Sequence, residues 1–466
     1  MKRMNLTVTA VCAVAASALL TAQGLLSADM QSKVDAAVHD VLAKTSVPSA
    51  SVGIVQGGRV VFTKAYGHAR LTPPMLATTD LHYAVGSISK QFTAASILLL
   101  VQQHKVSLDD PVSRFVPGLS RGNEVTVREL LSHTSGYQDF WPQDYVPPDM
   151  EQSTTPQHII DRWAKQPLDF EPGTQWQYSN TNFIIAGLIV QKASGTPFTK
   201  FVHAQILDRL GLTSAVDFDA LGPSAAQPIG YMRYGLGPLR PATPTGPGWM
   251  FGAGELAMTP SDLAKWDISM IKQSLLAPVS YKAMETTVLL KNGVSSGYGL
   301  GVEVGELGGH RMISHSGEVS GFTAENMVFP DDSAAIVVLT NQDAAPASGA
   351  IAQQIARVLF TTEDAMTTER TARARRIFEG LENGAVDRSL FTADANAYFS
   401  DTALADFKSG LGPLGAPTGF VQIRQESRGG MIERVYRVTA GGRVLRVWTY
   451  ELPNGQLEQY QVAPAT

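Results

Sequence analysis

The sequence predicts an α/β (α+β) protein: a mostly antiparallel sheet flanked by helices, followed by a small C-terminal α+β unit. Three observations lead there. A helix-period segment at 30–45 is followed by two apolar runs, Ala50–Val55 and Val60–Ala65, with Gly57-Gly58 between them as a hairpin turn. Four segments, Tyr298–Val304, Gly309–Ser314, Asn326–Phe329 and Ala335–Leu339, alternate as antiparallel strands before a helical stretch at 347–360. Four further strand segments, near 419–427, 431–439, 443–452 and 456–462, are separated by Gly429-Gly430, Gly441-Gly442 and Asn454-Gly455, the turn chemistry of a meander.

Taken in order, Val34, Ala37, Val38, Val41 and Leu42 give the first helix its apolar face. The run from Ser87 to Val101 is apolar on most sides, which predicts a buried helix. Val125–Leu131 reads as a short helix or strand that ends in His133-Thr134-Ser135-Gly136, and Phe170-Glu171-Pro172-Gly173 as a turn before a helix over Phe183–Ala193. Residues 138–157 lack periodicity and read as a long surface loop; a second Gly/Pro-rich loop covers about 222–250. Loops of that length in a compact domain usually carry function, and these two are expected to wall a cleft. Residues 261–273 are helical. At 361–376 Thr, Glu and Arg dominate, which reads as a solvated linker-helix between a first unit, 29–362, and a second, 370–466, with no catalytic constellation of its own.

Composition narrows the function classes. A net charge of −5 gives no electrostatic case for nucleic acid or an anionic membrane. Lys2 and Arg3, the apolar core Leu6–Leu20 and small residues at Ala22 and Gly24 predict a secretory signal over 1–24. The protein is then expected to be secreted or periplasmic, with no stable membrane insertion after signal removal. The single cysteine, Cys12, would leave with that segment, which excludes thiol catalysis, disulfides and Cys-ligated metals. The nine histidines show no metal-ligand spacing such as H-E-x-x-H, so neither metal nor cofactor is expected.

Ser87 and Lys90, three residues apart, share one face of the predicted buried helix, so hydroxyl and amine can meet. A serine there also suits a helix N-cap. Tyr178-Ser179-Asn180 is the only Tyr–x–Asn among thirteen tyrosines, and His315-Ser316-Gly317 the only His–x–Gly. A phenol of pKa about 10 is a poor base unless a nearby ammonium stabilises the phenolate, which Lys90 could do. A strand carrying a polar residue and a glycine can lay its backbone along a substrate.

The order Ser–x–x–Lys, Tyr–x–Asn, His–x–Gly resembles the serine β-lactamase/penicillin-binding superfamily. It is most similar to the class C β-lactamase-like branch, with its D,D-peptidases, D-aminopeptidases and carboxylesterases. The resemblance covers about residues 30–360 and is supported by Ser107-Leu108-Asp109-Asp110-Pro111, Leu130–Gly136, Phe170–Gly173, Gly252-Ala253-Gly254 and Thr259–Leu263. It implies the β-lactamase/penicillin-binding-like fold, with a helical subdomain beside the sheet and the site between them. Residue by residue, it implies Ser87 as acylated nucleophile, Lys90 as the group that helps deprotonate it and keeps Tyr178 anionic, and Tyr178 as general base and then acid. Asn180, His315, Ser316 and Gly317 would contact substrate, and the backbone N–H groups of Ser87 and Glu318 would form the oxyanion hole. Which residue takes the first proton stays open. The substrate is expected to be a small molecule or short peptide: an ester, a D-amino-acid peptide or a β-lactam. Where many β-lactamases carry Lys-Thr-Gly this chain has His315, a mostly neutral partner for a β-lactam carboxylate at pH 7. That points away from β-lactams as the main substrate. A pure ligand sensor on the same fold would not need Ser87, Lys90, Tyr178 and Asn180 together.

Three look-alikes are set aside. Gly293–Gly297 fits G-x-S-x-G, but the stretch after Ser295 reads as a strand where that elbow needs a helix. Lys408-Ser409-Gly410 imitates Lys-Thr-Gly but ends a helical stretch, where Gly410 reads as a C-cap. Ser269 and Lys272 repeat the Ser–x–x–Lys spacing in mid-helix.

Overall fold

The computed structural model describes residues 25–141, 146–221, 227–360 and 367–465. The expected signal at 1–24 lies outside them, as do parts of both long loops. The chain divides into two compact units after Phe360.

The first unit is built on a seven-stranded antiparallel sheet. In chain order its strands are β1 (Ser49–Gln56), β2 (Arg59–Arg70), β3 (Met75–Leu76), β4 (Glu303–Leu307), β5 (His310–Val319), β6 (Phe322–Phe329) and β7 (Ala334–Thr340), arranged 3-2-1-7-6-5-4. β1 and β2 join through Gly57 and Gly58, both in the left-handed region that glycine tolerates. β1 then pairs with β7, so the two ends of the unit close one sheet. The first helix, α1 (Ala28–Thr45), packs with the last, α6 (Ala347–Phe360), over one face. Val34, Val38 and Val41 meet Ile351 and Ile355 there, above Val52, Ile54, Ile336 and Val338.

The other face carries the larger core and the buried helix α2 (Ser89–Gln102), with α3 (Val127–Leu131), α4 (Asn180–Ser194) and α5 (Pro260–Lys272) around it. A polar chain locks α2 to its neighbours. Trp266 Nε1 donates to Gln91 Oε1 at 2.6 Å, Gln91 Nε2 to Asn326 Oδ1 at 2.7 Å, and Asn326 Nδ2 to the buried Asp267. One step thus ties α2 to α5, the next to β6.

Two expectations about this unit need correcting. The predicted strand Tyr298–Val304 begins only at Glu303. Tyr298, Leu300 and Val302 alternate with Gly299 and Gly301 in an irregular, wholly buried segment, and this apolar alternation imitates a strand in the sequence. There Gly301 takes a positive φ of 74°, and a side chain at position 299 would lie 2.1 Å from the Met284 carbonyl. The loop after residue 138 is not merely superficial either, because Phe140 and Met150 are buried in the core.

The second unit holds α7 (Thr367–Glu382), two shorter helices and the meander β8 (Gly419–Arg428), β9 (Met431–Ala440), β10 (Arg443–Glu451) and β11 (Leu457–Pro464). The described part of the stretch read as a solvated linker-helix is a packed element. Ile377, Phe378 and Leu381 sit in the unit's core with Val438, Val447 and Tyr460. Arg373 of α7 reaches Glu451 at 2.9 Å, beside Arg434 at 2.7 Å. Gly410 lies inside the helix Asp401–Leu411, and Gly412 caps it.

Candidate active site

Ser87 does not begin α2. It sits in a single 3-10 turn, Gly86–Ile88, immediately before it. Gly86 holds a positive φ of 52°, and a side chain there would lie 2.7 Å from the Glu318 backbone N. At Gly317 a Cβ would lie 1.9 Å from the Val85 carbonyl. The two glycines let β5 run against the Ser87 turn with no side chain between, which brings the Glu318 backbone N–H beside the Ser87 turn.

Ser87 Oγ has two polar neighbours. Lys90 Nζ lies 2.9 Å away and Tyr178 OH, which donates, 2.7 Å. Lys90 is fully buried, and its other contacts are Asn180 Oδ1 at 2.8 Å and the Ala253 carbonyl at 2.7 Å. Burial pushes its pKa down to about 7, against the pull of the Asp139 carboxylate. Lowering an ordinary lysine that far is worth about 5 kcal/mol in favour of the neutral amine. A neutral Lys90 donates to Asn180 and Ala253 and keeps its lone pair for the Ser87 proton.

Tyr178 behaves differently from the phenolate that sequence reasoning expects. Desolvation pushes its pKa far above the usual phenol value, and the charges of Asp139 and Glu303 add to this, outweighing the hydrogen bond with Ser87. Lys90 Nζ lies 4.9 Å from its ring centroid. Enclosure of the phenol thus favours its protonated form, while burial of Lys90 favours the neutral amine.

The ring is held by aromatic neighbours. His133 lies 4.3 Å from it, His315 6.3 Å and Trp176 6.5 Å between centroids. His133 takes a left-handed φ of 58°, and its Nδ1 accepts the Ser179 N–H at 3.2 Å, which pins the turn carrying Tyr178. Nδ1 is an acceptor, so His133 is the Nε2–H tautomer.

His315 is placed otherwise than expected. It is 2 % exposed and points behind Tyr178 rather than into the cleft. Its Nδ1–H donates to the Ser316 carbonyl at 2.5 Å, and its Nε2 accepts from Tyr298 OH at 2.7 Å. Burial and the nearby Lys90 push its pKa down to about 3, so it is neutral at working pH. Ser316 is exposed and, with Gly317, lines a separate shallow hollow. Of residues 315–318 only Glu318 reaches the main cleft. Asn180 does line it, but both ends of its carboxamide are engaged: Lys90 takes Oδ1, and Asp139 takes Nδ2 at 3.2 Å.

The cleft has a volume of about 510 Å³, with Ser87 and Tyr178 in its lining. Phe140, Trp141, Met232 and Tyr234 give it an apolar wall from the two long loops, as the sequence suggests. Asp139, Glu318 and Asp343 add carboxylates. Sequence reasoning missed Asp139, although a lone acid among Tyr137, Phe140 and Trp141 was a signal. It also missed Asp217, Asp219 and Glu255, whose ligand atoms lie within 4.8 Å of one another. Burial and the neighbouring Asp217 push the Glu255 carboxyl up, to about 9. The two look-alikes of this unit stay outside the cleft lining: Ser295 is exposed, its hydroxyl bonded to Thr287 at 2.8 Å, and Ser269 is buried within α5.

Known proteins are similar to this chain. Residues 34–360 match the Beta-lactamase family. Penicillin-binding protein 4* of Bacillus subtilis is 27% identical over 62% of this chain and 67% of its own length. Protein flp of Staphylococcus aureus is 27% identical over 68% of this chain, which spans 64% of that protein, less than two thirds. Among solved structures, a D-stereospecific amidohydrolase from Streptomyces sp. superposes with a TM-score of 0.62 at 27% identity, over 71% of this chain and 98% of its own. A penicillin-binding protein homologue from Pyrococcus abyssi, described as octameric, gives 0.63 at 22% identity over 92% of this chain and 99% of its own. A sheet closed by its terminal helices and a serine met by a lysine and a tyrosine accompany a family match over most of the first unit: this chain belongs to the β-lactamase family, as a serine hydrolase of the β-lactamase and penicillin-binding type.

Proposed function

We propose that this chain is an exported hydrolase that cleaves the amide or ester bond of a small D-aminoacyl substrate through an acyl-enzyme on Ser87. The observation that carries this is the pair of contacts on Ser87 Oγ, a lysine of lowered pKa at 2.9 Å and a protonated tyrosine at 2.7 Å. In this reading neutral Lys90 takes the Ser87 proton as Oγ bonds to the carbonyl carbon. The backbone N–H groups of Ser87 and Glu318 hold the oxyanion. When the tetrahedral adduct collapses, the bond to the leaving nitrogen or oxygen breaks, and that atom takes the phenolic proton of Tyr178, which the Lys90 ammonium replaces. Water then repeats the sequence on the ester and frees Ser87.

Two observations support the substrate class. The cleft's carboxylates repel the carboxylate of a β-lactam and attract a free ammonium. The similarity to the Streptomyces amidohydrolase supports D-configured substrates. The N-terminal sequence supports export, to the periplasm or outside the cell.

The test combines a fluorophosphonate label with a panel of D-alanyl p-nitroanilide, p-nitrophenyl acetate and nitrocefin. The expected result is a covalent adduct on Ser87, lost in Ser87→Ala without loss of fold, and turnover of the anilide ahead of nitrocefin. No adduct and no turnover would overturn the hydrolase reading. Preference for nitrocefin would overturn the substrate class.

A further inference from the structure

We propose that Asp139 is a positioning residue of this reaction: it clamps Asn180 so that the carboxamide oxygen, and not the amide nitrogen, faces Lys90. This inference rests on the roles proposed above for Ser87 and Lys90. Asp139 Oδ1 accepts the backbone N–H groups of Asn180 at 2.9 Å and Trp141 at 3.1 Å, and Oδ2 accepts Asn180 Nδ2 at 3.2 Å. A carboxylate is acceptor-only, so only the NH2 end of the carboxamide can face it. The opposite end, Oδ1, then meets Lys90 Nζ at 2.8 Å.

The orientation decides which atom receives the Lys90 lone pair. A neutral amine has two N–H bonds and one lone pair. With Asn180 as observed, the N–H bonds go to Asn180 Oδ1 and the Ala253 carbonyl, and the lone pair is left for Ser87. With the carboxamide reversed, Asn180 would donate into the lone pair, and Ser87 would lose its base. Asp139 makes the reversed state costly, because it would set an amide oxygen against a carboxylate.

The clamp also carries a charge that acts on the amine. The other ionisable groups around Lys90 are Tyr178, from the turn before α4, which stays protonated, and His133 and His315, from the loop after α3 and from β5, which burial keeps neutral. Asp139, from the same loop after α3, therefore does two things: it orients the amine's partner and holds the amine's pKa up.

The test is the rate of Ser87 phosphonylation by a fluorophosphonate, resolved into KI and kinact and followed against pH, in wild type, Asp139→Asn and the exchange Asp139→Asn/Asn180→Asp. In Asp139→Asn the two amide groups can set NH2 against NH2, or the Asn180 carboxamide reverses. Its kinact is expected to fall about 30-fold, part of the hundredfold or more that a placed base supplies. Its acid limb should move to lower pH, because the charge is gone. The exchange restores an acceptor toward Lys90 and a donor–acceptor pair behind it, so kinact should recover at least tenfold. Its acid limb should lie above wild type, because the carboxylate now touches the amine. Wild-type kinact in Asp139→Asn, no recovery in the exchange, or an effect confined to KI would each overturn the clamp. The exchange keeps the proposal decidable if the single variant folds poorly, because loss of the buried hydrogen bonds alone would not move the two limbs in opposite directions. Failure of the underlying reading shows separately, as the absence of any adduct on the wild-type protein.

Discussion

At the scale of single residues, burial sets two pKa values apart. Lys90 is lowered to about 7 because it is buried, and Tyr178 is raised because its enclosure penalises the phenolate. A base that must be neutral is lost as pH falls. The rate of Ser87 acylation is thus expected to rise with pH through about 7 and level off above it; a rate flat from pH 5 to 9 would exclude Lys90 as the base. Tyr178→Phe removes the donor to the leaving group and should cost about two orders of magnitude with an amide substrate, and less with a nitrophenyl ester, whose leaving group needs no proton. Ser87, Lys90 and Tyr178 were legible in the sequence because their spacing and order carry the signal. The protonation state of Tyr178 was not, because it depends on His133 and Asp139, His315, and Glu303 gathering from three places in the chain. The inward turn of His315 was hidden for the same reason: Tyr298, its partner, lies in a segment whose alternation of apolar residues with glycine mimics a strand.

At the scale of elements, a few contacts hold the Ser87 turn between helix and sheet. Gly317 is required for space and not for backbone conformation, since only its Cβ, 1.9 Å from the Val85 carbonyl, is at issue. Gly317→Ala should force β5 off the turn, cost about 1–3 kcal/mol of stability and slow acylation; an unchanged melting temperature and rate would mean the seam has slack. Asp267, which the Asn326 amide links to α2, is fully buried, and desolvation raises its pKa well above the carboxylate range. Its folded pKa exceeds the unfolded value, so its contribution is complete below about pH 4 and is lost as pH rises toward the folded pKa. Asp267→Asn should therefore flatten the fall in melting temperature from pH 4 to 8; an unaltered slope would place that titration elsewhere. The hairpins were readable from their glycine pairs, and α1 and α6 from their periodicity. That they share one face of one sheet follows only from the pairing of β1 with β7.

At the scale of the molecule, the second unit has its own core of Phe378, Phe391, Phe399, Val447 and Tyr460, and a four-stranded sheet whose strands pair in chain order. A fragment of residues 361–466 is expected to fold alone and unfold cooperatively by calorimetry. A fragment that shows no transition would mean this core is insufficient by itself. The first unit is organised in the opposite manner. Ala50 of β1 pairs with Thr340 of β7, roughly 290 residues later. At ribosomal speed that separation corresponds to roughly 15–60 s of synthesis. Throughout that interval β1 lacks one neighbour, and β5, which supplies the Glu318 end of the site, is mostly unmade. Ser87 is translated early, but the surroundings that make it reactive are assembled last, so a nascent chain carries the nucleophile without its chemistry.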